Sequence, residues 1–60
     1  MRIKAIREEK KLSLRALAAK AKMGYPYLCN VENGKADPSL STLRRLAEAL
    51  KVKVGELIDE

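Results

Sequence analysis

Apolar residues recur along this chain every three or four positions, the spacing that lines one side of a helix, and strands do not compete over the second such stretch, where Ala, Leu, Lys and Arg dominate. Ile3 and Ile6 stand among charges between Arg2 and Lys11 and predict a first amphipathic helix. Ser13 suits an N-cap, because its side-chain oxygen can accept from a free backbone N–H of the first turn. A second helix is therefore predicted over Leu14 to Ala21, with Leu14, Leu17, Ala18 and Ala21 inward. Lys22, Met23 and Gly24 interrupt the pattern before Tyr25 to Asn33 resumes it as a third helix. Pro26 fits only the first turn, where its missing N–H is not needed, and Asn33-Gly34 is a stop signal. At about 100° per residue, Gly24, Leu28 and Val31 fall on the core side and Pro26, Cys29, Asn30 and Asn33 fall opposite. Ser39 or a neighbour can cap a fourth helix reaching about Leu50, with Leu40, Leu43, Leu46, Ala47 and Leu50 on one face. Val52 to Ile58 supplies one or two last turns with Val54, Leu57 and Ile58 inward. The expected class is all-α, five short helices in a compact bundle without a sheet.

Length tightens this picture. A chain of 60 residues is expected to form a single small domain over residues 1–60, to bury about 60% of its unfolded surface and to be stable by ~3 to 9 kcal/mol. A second lobe or a large cofactor has no room. Hydrophobic residues make up 47% of the chain although Phe and Trp are absent, so Leu, Ile, Val, Ala and Met must build the core. No apolar run approaches the ~20 residues of a membrane span, and the start has no apolar signal core. A soluble, cytoplasmic protein without a membrane partner is expected. One cysteine, Cys29, excludes an internal disulfide, and the absence of His removes the usual zinc ligand sets. No cofactor or small-molecule substrate is expected.

Charge adds a class of partner. Lys and Arg number 13 against 8 Asp and Glu, a net charge of +5, and Glu56, Asp59 and Glu60 crowd the end of the chain. A basic body suggests a polyanion, with nucleic acid the first candidate. The second and third helices, joined by three residues, can cross steeply and present the third outward. Its outer face holds no charged residue, and the only charge from Met23 to Gly34 is Glu32, whereas Lys20, Lys22, Lys35 and Arg44 flank the segment. A neutral hydrogen-bonding face framed by cations suits a helix lying in the major groove with phosphates on either side.

The order and spacing of six stretches carry a resemblance. They are Ile6-Arg7-Glu8-Glu9-Lys10, Leu12 to Ala18, Tyr27-Leu28, Val31-Glu32-Asn33-Gly34-Lys35, Pro38-Ser39-Leu40 and Leu43 to Leu50. From about Ile3 to Leu57 the chain resembles the lambda Cro and C1-repressor type helix-turn-helix domains, the XRE family. The resemblance implies a lambda-repressor-like five-helix DNA-binding domain with its helix-turn-helix unit over residues 14–33 and Tyr25 to Asn33 as recognition helix. It implies that Tyr25, Pro26 and Asn30 approach base edges, that Asn33 and Lys35 contact phosphate, and that Ser41 and Thr42 approach the backbone. Arg7 and Glu32 match a pair that often forms an internal salt bridge in the family.

Several positions depart from the family pattern. Leu14 stands where a phosphate-touching Gln is common, Gly24 where Ser or Thr caps the helix, and Pro26 cannot hydrogen-bond to a base. Lys11, Lys22 and Lys51 follow helices where Gly is frequent, and a lysine held left-handed there would cost roughly 1 kcal/mol. Asn30 can bond adenine bidentately or be an ordinary exposed polar residue. Tyr25 can stack on a sugar, touch a thymine methyl or merely cover the helix start, and Tyr27 packs at the edge with its hydroxyl near phosphate. Cys29 reads as a small residue on a crowded face, and Arg44 and Arg45 as solvated charges.

The function expected is sequence-specific binding of double-stranded DNA by a small transcriptional regulator, a repressor acting by occlusion, as a homodimer on DNA. Val52, Val54, Leu57 and Ile58 are the apolar residues left for that dimer contact. The rival reading is a protein-interaction module of the same fold, an antitoxin or co-regulator component. Binding to anionic membrane is weaker, since the charges surround the chain. No catalytic constellation exceeds chance spacing, so an enzyme is not expected.

Overall fold

The computed structural model describes residues 1–58, and the acidic Asp59 and Glu60 lie outside them. Five helices follow one another, α1 Ile3–Glu9, α2 Leu14–Lys20, α3 Tyr25–Glu32, α4 Leu40–Leu50 and α5 Val54–Ile58, with no strand among the described residues. Helix α2 packs against α3 and α4, and α1 and α5 close over the rest of α4. The backbone N–H of Arg2 donates to the carbonyl of Leu57 at 2.7 Å, tying the start of the chain to α5.

One cluster forms the core. Ile3 and Ile6, Leu17 and Ala18, Leu28 and Val31, Leu43, Leu46, Ala47 and Leu50, and Leu57 bring all five helices to it. Removing each of the larger side chains from water contributes about 1.5 to 3 kcal/mol. Three inward assignments change. Gly24 is exposed at the N-cap of α3, because the cap lies ahead of the turn that meets the core. Leu40 opens α4 at a turn that no helix covers and is 56% exposed. Leu57 takes the one inward position of the five-residue α5, so Ile58, about 100° further round, faces out at 48% exposure. Leu57 is thereby withdrawn from any dimer surface, and Val52 and Val54 are already half-covered by the core.

The helix ends account for the three lysines. Lys11, Lys22 and Lys51 all adopt left-handed backbone, at φ 57°, 57° and 59°. After each, the next N–H reaches five residues back, Leu12 to Arg7 at 3.1 Å, Met23 to Ala18 at 3.0 Å and Val52 to Ala47 at 2.9 Å. This is the Schellman closure, in which the residue after the left-handed one bonds a terminal carbonyl and packs against the helix. Leu12, Met23 and Val52 are each partly buried against the core, which offsets the local strain. A cation also favours the negative end of a helix dipole. Gly34, at φ 76°, closes α3 the same way, with the N–H of Lys35 on the carbonyl of Asn30 at 2.8 Å.

Candidate nucleic-acid interface

The site begins with how α2 and α3 are started and stopped. Ser13 caps α2, its Oγ accepting from the N–H of Ala16 at 3.0 Å. Gly24 caps α3 in extended backbone without a side-chain bond, and Pro26 sits in the first turn. Between them the turn at Lys22 is gripped from outside by Arg45 of α4. Its Nε donates to the carbonyl of Ala21 at 3.1 Å and its Nη2 to the carbonyl of Lys22. Carbonyls at a helix C-terminus lack intrahelical partners, and a guanidinium supplies two donors at once. Arg45 is thus a structural residue rather than a solvated charge.

Helix α3 is two-sided. Leu28 is fully buried and Val31 nearly so, whereas Tyr25, Pro26, Tyr27, Asn30 and Asn33 are exposed and Cys29 is half-buried. Glu32 is turned inward. Arg7 of α1 donates to it twice, Nε to Oε2 at 2.7 Å and Nη2 to Oε1 at 3.1 Å, while Nη1 donates to the carbonyl of Leu12 at 2.8 Å. The two side chains are 12% and 5% exposed. The hydrogen bonds and charge of Glu32 hold the Arg7 guanidinium above its already high ordinary range, against the opposing effect of burial. The one carboxylate of α3 is therefore neutralised inside, and its outer face carries no formal charge.

Around that face the polar side chains divide. Asn30 makes no side-chain hydrogen bond among the described residues, and Lys35, just past the end of α3, and Ser41, in the first turn of α4, are exposed. The Nδ2 of Asn33 lies 3.5 Å from the Sγ of Cys29. Thr42 departs from the expectation of an approach to the DNA backbone, since it is only 7% exposed. Its Oγ1 accepts from Ser39 Oγ at 3.1 Å, and Ser39 Oγ in turn accepts from the Thr42 N–H at 3.1 Å. That exchange caps α4 and uses the threonine from inside. The hydroxyl of Tyr27 stands 3.5 Å from the same Oγ1, a long contact at the edge of hydrogen-bond range.

One further pairing is absent from any local pattern. The guanidinium carbon of Arg15, in the first turn of α2, lies 4.4 Å from the ring centroid of Tyr25, in the first turn of α3. Among the described residues no group of acidic, His or Cys side chains could hold a metal ion, and no helix is long and apolar enough to cross a membrane.

A family model described as helix-turn-helix matches residues 3–57. The chain belongs to that family, the lambda Cro and C1-repressor type. Among helix-turn-helix proteins it is 46% identical over 59 residues to the immunity repressor protein of Bacillus phage phi105, covering 98% of this chain and 41% of that one. It is 42% identical over 60 residues to the transcriptional regulator SinR of Bacillus subtilis, covering 98% of this chain and 54% of SinR. The solved complex of SinR protein with SinI protein superposes with a TM-score of 0.92 at 40% identity, over 98% of this chain and 58% of that one. The chain thus spans about half the length of the curated relatives it matches.

Proposed function

We propose that this chain binds double-stranded DNA sequence-specifically as a transcriptional repressor, with α3 in the major groove and residues 1–58 acting as one DNA-binding unit. The observation that carries the reading is the uncharged outer face of α3, left neutral because Arg7 takes the helix's one carboxylate inward. A carboxylate on that face would meet phosphates and the acceptor-rich groove edge with like charge. The relatives named as an immunity repressor and a transcriptional regulator support it. Asn30, Tyr25 and the ring of Pro26 face the bases in this reading, while Lys35, Asn33, Ser41 and the Tyr27 hydroxyl stand toward phosphate. Lys35→Ala should weaken binding to every duplex alike and lower the slope of log affinity against log salt by about 1. Asn30→Ala should cost ~1 to 3 kcal/mol on the preferred site and little on unrelated DNA. Measuring both variants on specific and random duplexes at two salt concentrations decides it, and equal losses for Asn30→Ala on both duplexes remove Asn30 from the reading set.

On DNA the protein acts as a homodimer, because one recognition helix reads only a few base pairs and paired helices address half-sites about 34 Å apart. The exposed Ile58, with half-covered Val52 and Val54, is the apolar surface that α5 and the loop before it offer to the contact. A footprint confined to one half-site, with one protein per duplex in sedimentation, contradicts this. A protein partner in place of DNA is the second reading, favoured by one finding, that the matched SinR structure is a complex with SinI. Tight association with a protein together with weak, unselective DNA binding would decide for it.

A further inference from the structure

The arginines whose contacts are described fall into two kinds. Arg7 and Arg45 spend their donors inside the fold, on Glu32 and on the carbonyls of Leu12, Ala21 and Lys22. Arg15 is exposed and makes no hydrogen bond or ion pair among the described residues, its recorded interaction being the placement of its guanidinium over the Tyr25 ring at 4.4 Å. A guanidinium over an aromatic face is held by the ring's negative quadrupole and keeps its planar edge of N–H donors free. The contact, worth about 0.5 to 1 kcal/mol between exposed groups, biases the side chain toward this direction before any ligand arrives, so less freedom is lost when it binds.

From this placement we infer that Arg15 is a specificity-determining residue that reads a guanine, with Tyr25 as the platform that positions it. The inference rests on the DNA-binding reading above. A phosphate can also take a guanidinium edge, but it does so alike in any sequence, and Lys20, Lys22 and Lys35 already supply cations for it. A donor edge held over the first residue of α3 matches an acceptor pair whose place is set once the helix is seated, and guanine O6 and N7 are that pair in the major groove. The platform stands at the N-terminal end of α3, beside the outer face that carries Asn30. The ring of Tyr25 therefore acts through Arg15 as well as on its own account.

The test uses the whole chain and the duplex it selects from a random pool, with each G·C pair replaced in turn by A·T. One replacement should weaken the wild type about 5- to 150-fold, the range of a bidentate base contact. Arg15→Ala should bind the original and that replaced duplex equally. Tyr25→Leu, which removes the ring face, should lose most of the same preference with Arg15 still present, and Tyr25→Phe should keep it. Circular dichroism confirms that each variant is folded. Retention of the guanine preference by Arg15→Ala overturns the inference, as does a uniform loss on all duplexes with a lower salt slope, which would make Arg15 a phosphate anchor. An unchanged preference in Tyr25→Leu removes the platform. A wild type that selects no sequence defeats the DNA-reading proposal itself, whereas a selective wild type with an unaffected Arg15→Ala defeats the guanine assignment alone.

Discussion

Replacing Glu32 by Ala is expected to lower the unfolding free energy by about 3 to 5 kcal/mol, the cost of leaving one member of a buried ion pair alone. The pair qualifies by its 12% and 5% side-chain exposure and by two hydrogen bonds at 2.7 and 3.1 Å. Without Glu32, Arg7 keeps one hydrogen bond, to the Leu12 carbonyl, and the weaker attraction of Glu8, and its positive charge stays largely covered. Deprotonation gives no escape. The pKa of Arg7 is raised in the folded state, so its contribution is fully present below the unfolded value and is lost only in strong alkali. For a chain stable by ~3 to 9 kcal/mol, a loss of this size should bring the melting temperature down by more than about 10 °C. Thermal unfolding at neutral pH measures it. An unchanged melting temperature would reduce the pair to a surface contact of about 0 to 1 kcal/mol.

Leu28→Ala should cost about 2 to 5 kcal/mol, from lost burial and from the cavity that a close-packed interior only partly closes. Leu28 has 0% exposure and belongs to the cluster that holds Leu17, Leu46 and Leu50. Its position on the inner side of α3 means that truncation loosens the helix without altering the side chains on its outer face. Denaturant unfolding should show a lower midpoint at unchanged slope. A change below about 0.5 kcal/mol would mean that α3 is held by its ends and not by its core contact.

The helices themselves were legible because period, caps and stops agree. Ser13 and Ser39 cap α2 and α4 through the N–H groups of Ala16 and Thr42, and Gly34 ends α3 in left-handed backbone. The three lysine ends were legible through the family pattern, which often sets Gly there, and not through the lysines, since nothing in a lysine itself announces positive φ. The signal lay one residue later, in the apolar Leu12, Met23 and Val52 that the closure buries. Side-chain contacts between distant segments were less legible still. Arg45 reaches carbonyls 24 and 23 residues away, and backbone oxygens leave no mark in a sequence. Arg15 meets Tyr25 only because the packing of α2 on α3 brings these two residues of their first turns together. Thr42 and Ser41 are neighbours of similar polarity, and only the direction of the α4 cap decides which hydroxyl is turned in.

Both arginines that fasten α2 and α3 come from elsewhere in the chain, Arg7 from α1 and Arg45 from α4, outside residues 14–33. Those twenty or so residues are consequently not a portable cassette. Grafted alone onto another scaffold, they would bring Asn30 and Tyr25 but leave Glu32 uncompensated and the Ala21 and Lys22 carbonyls bare. Exchange of the outward residues Tyr25, Pro26 and Asn30 on α3 leaves both fasteners in place, so on the proposed DNA-binding reading the sequence preference can change while the scaffold stays constant.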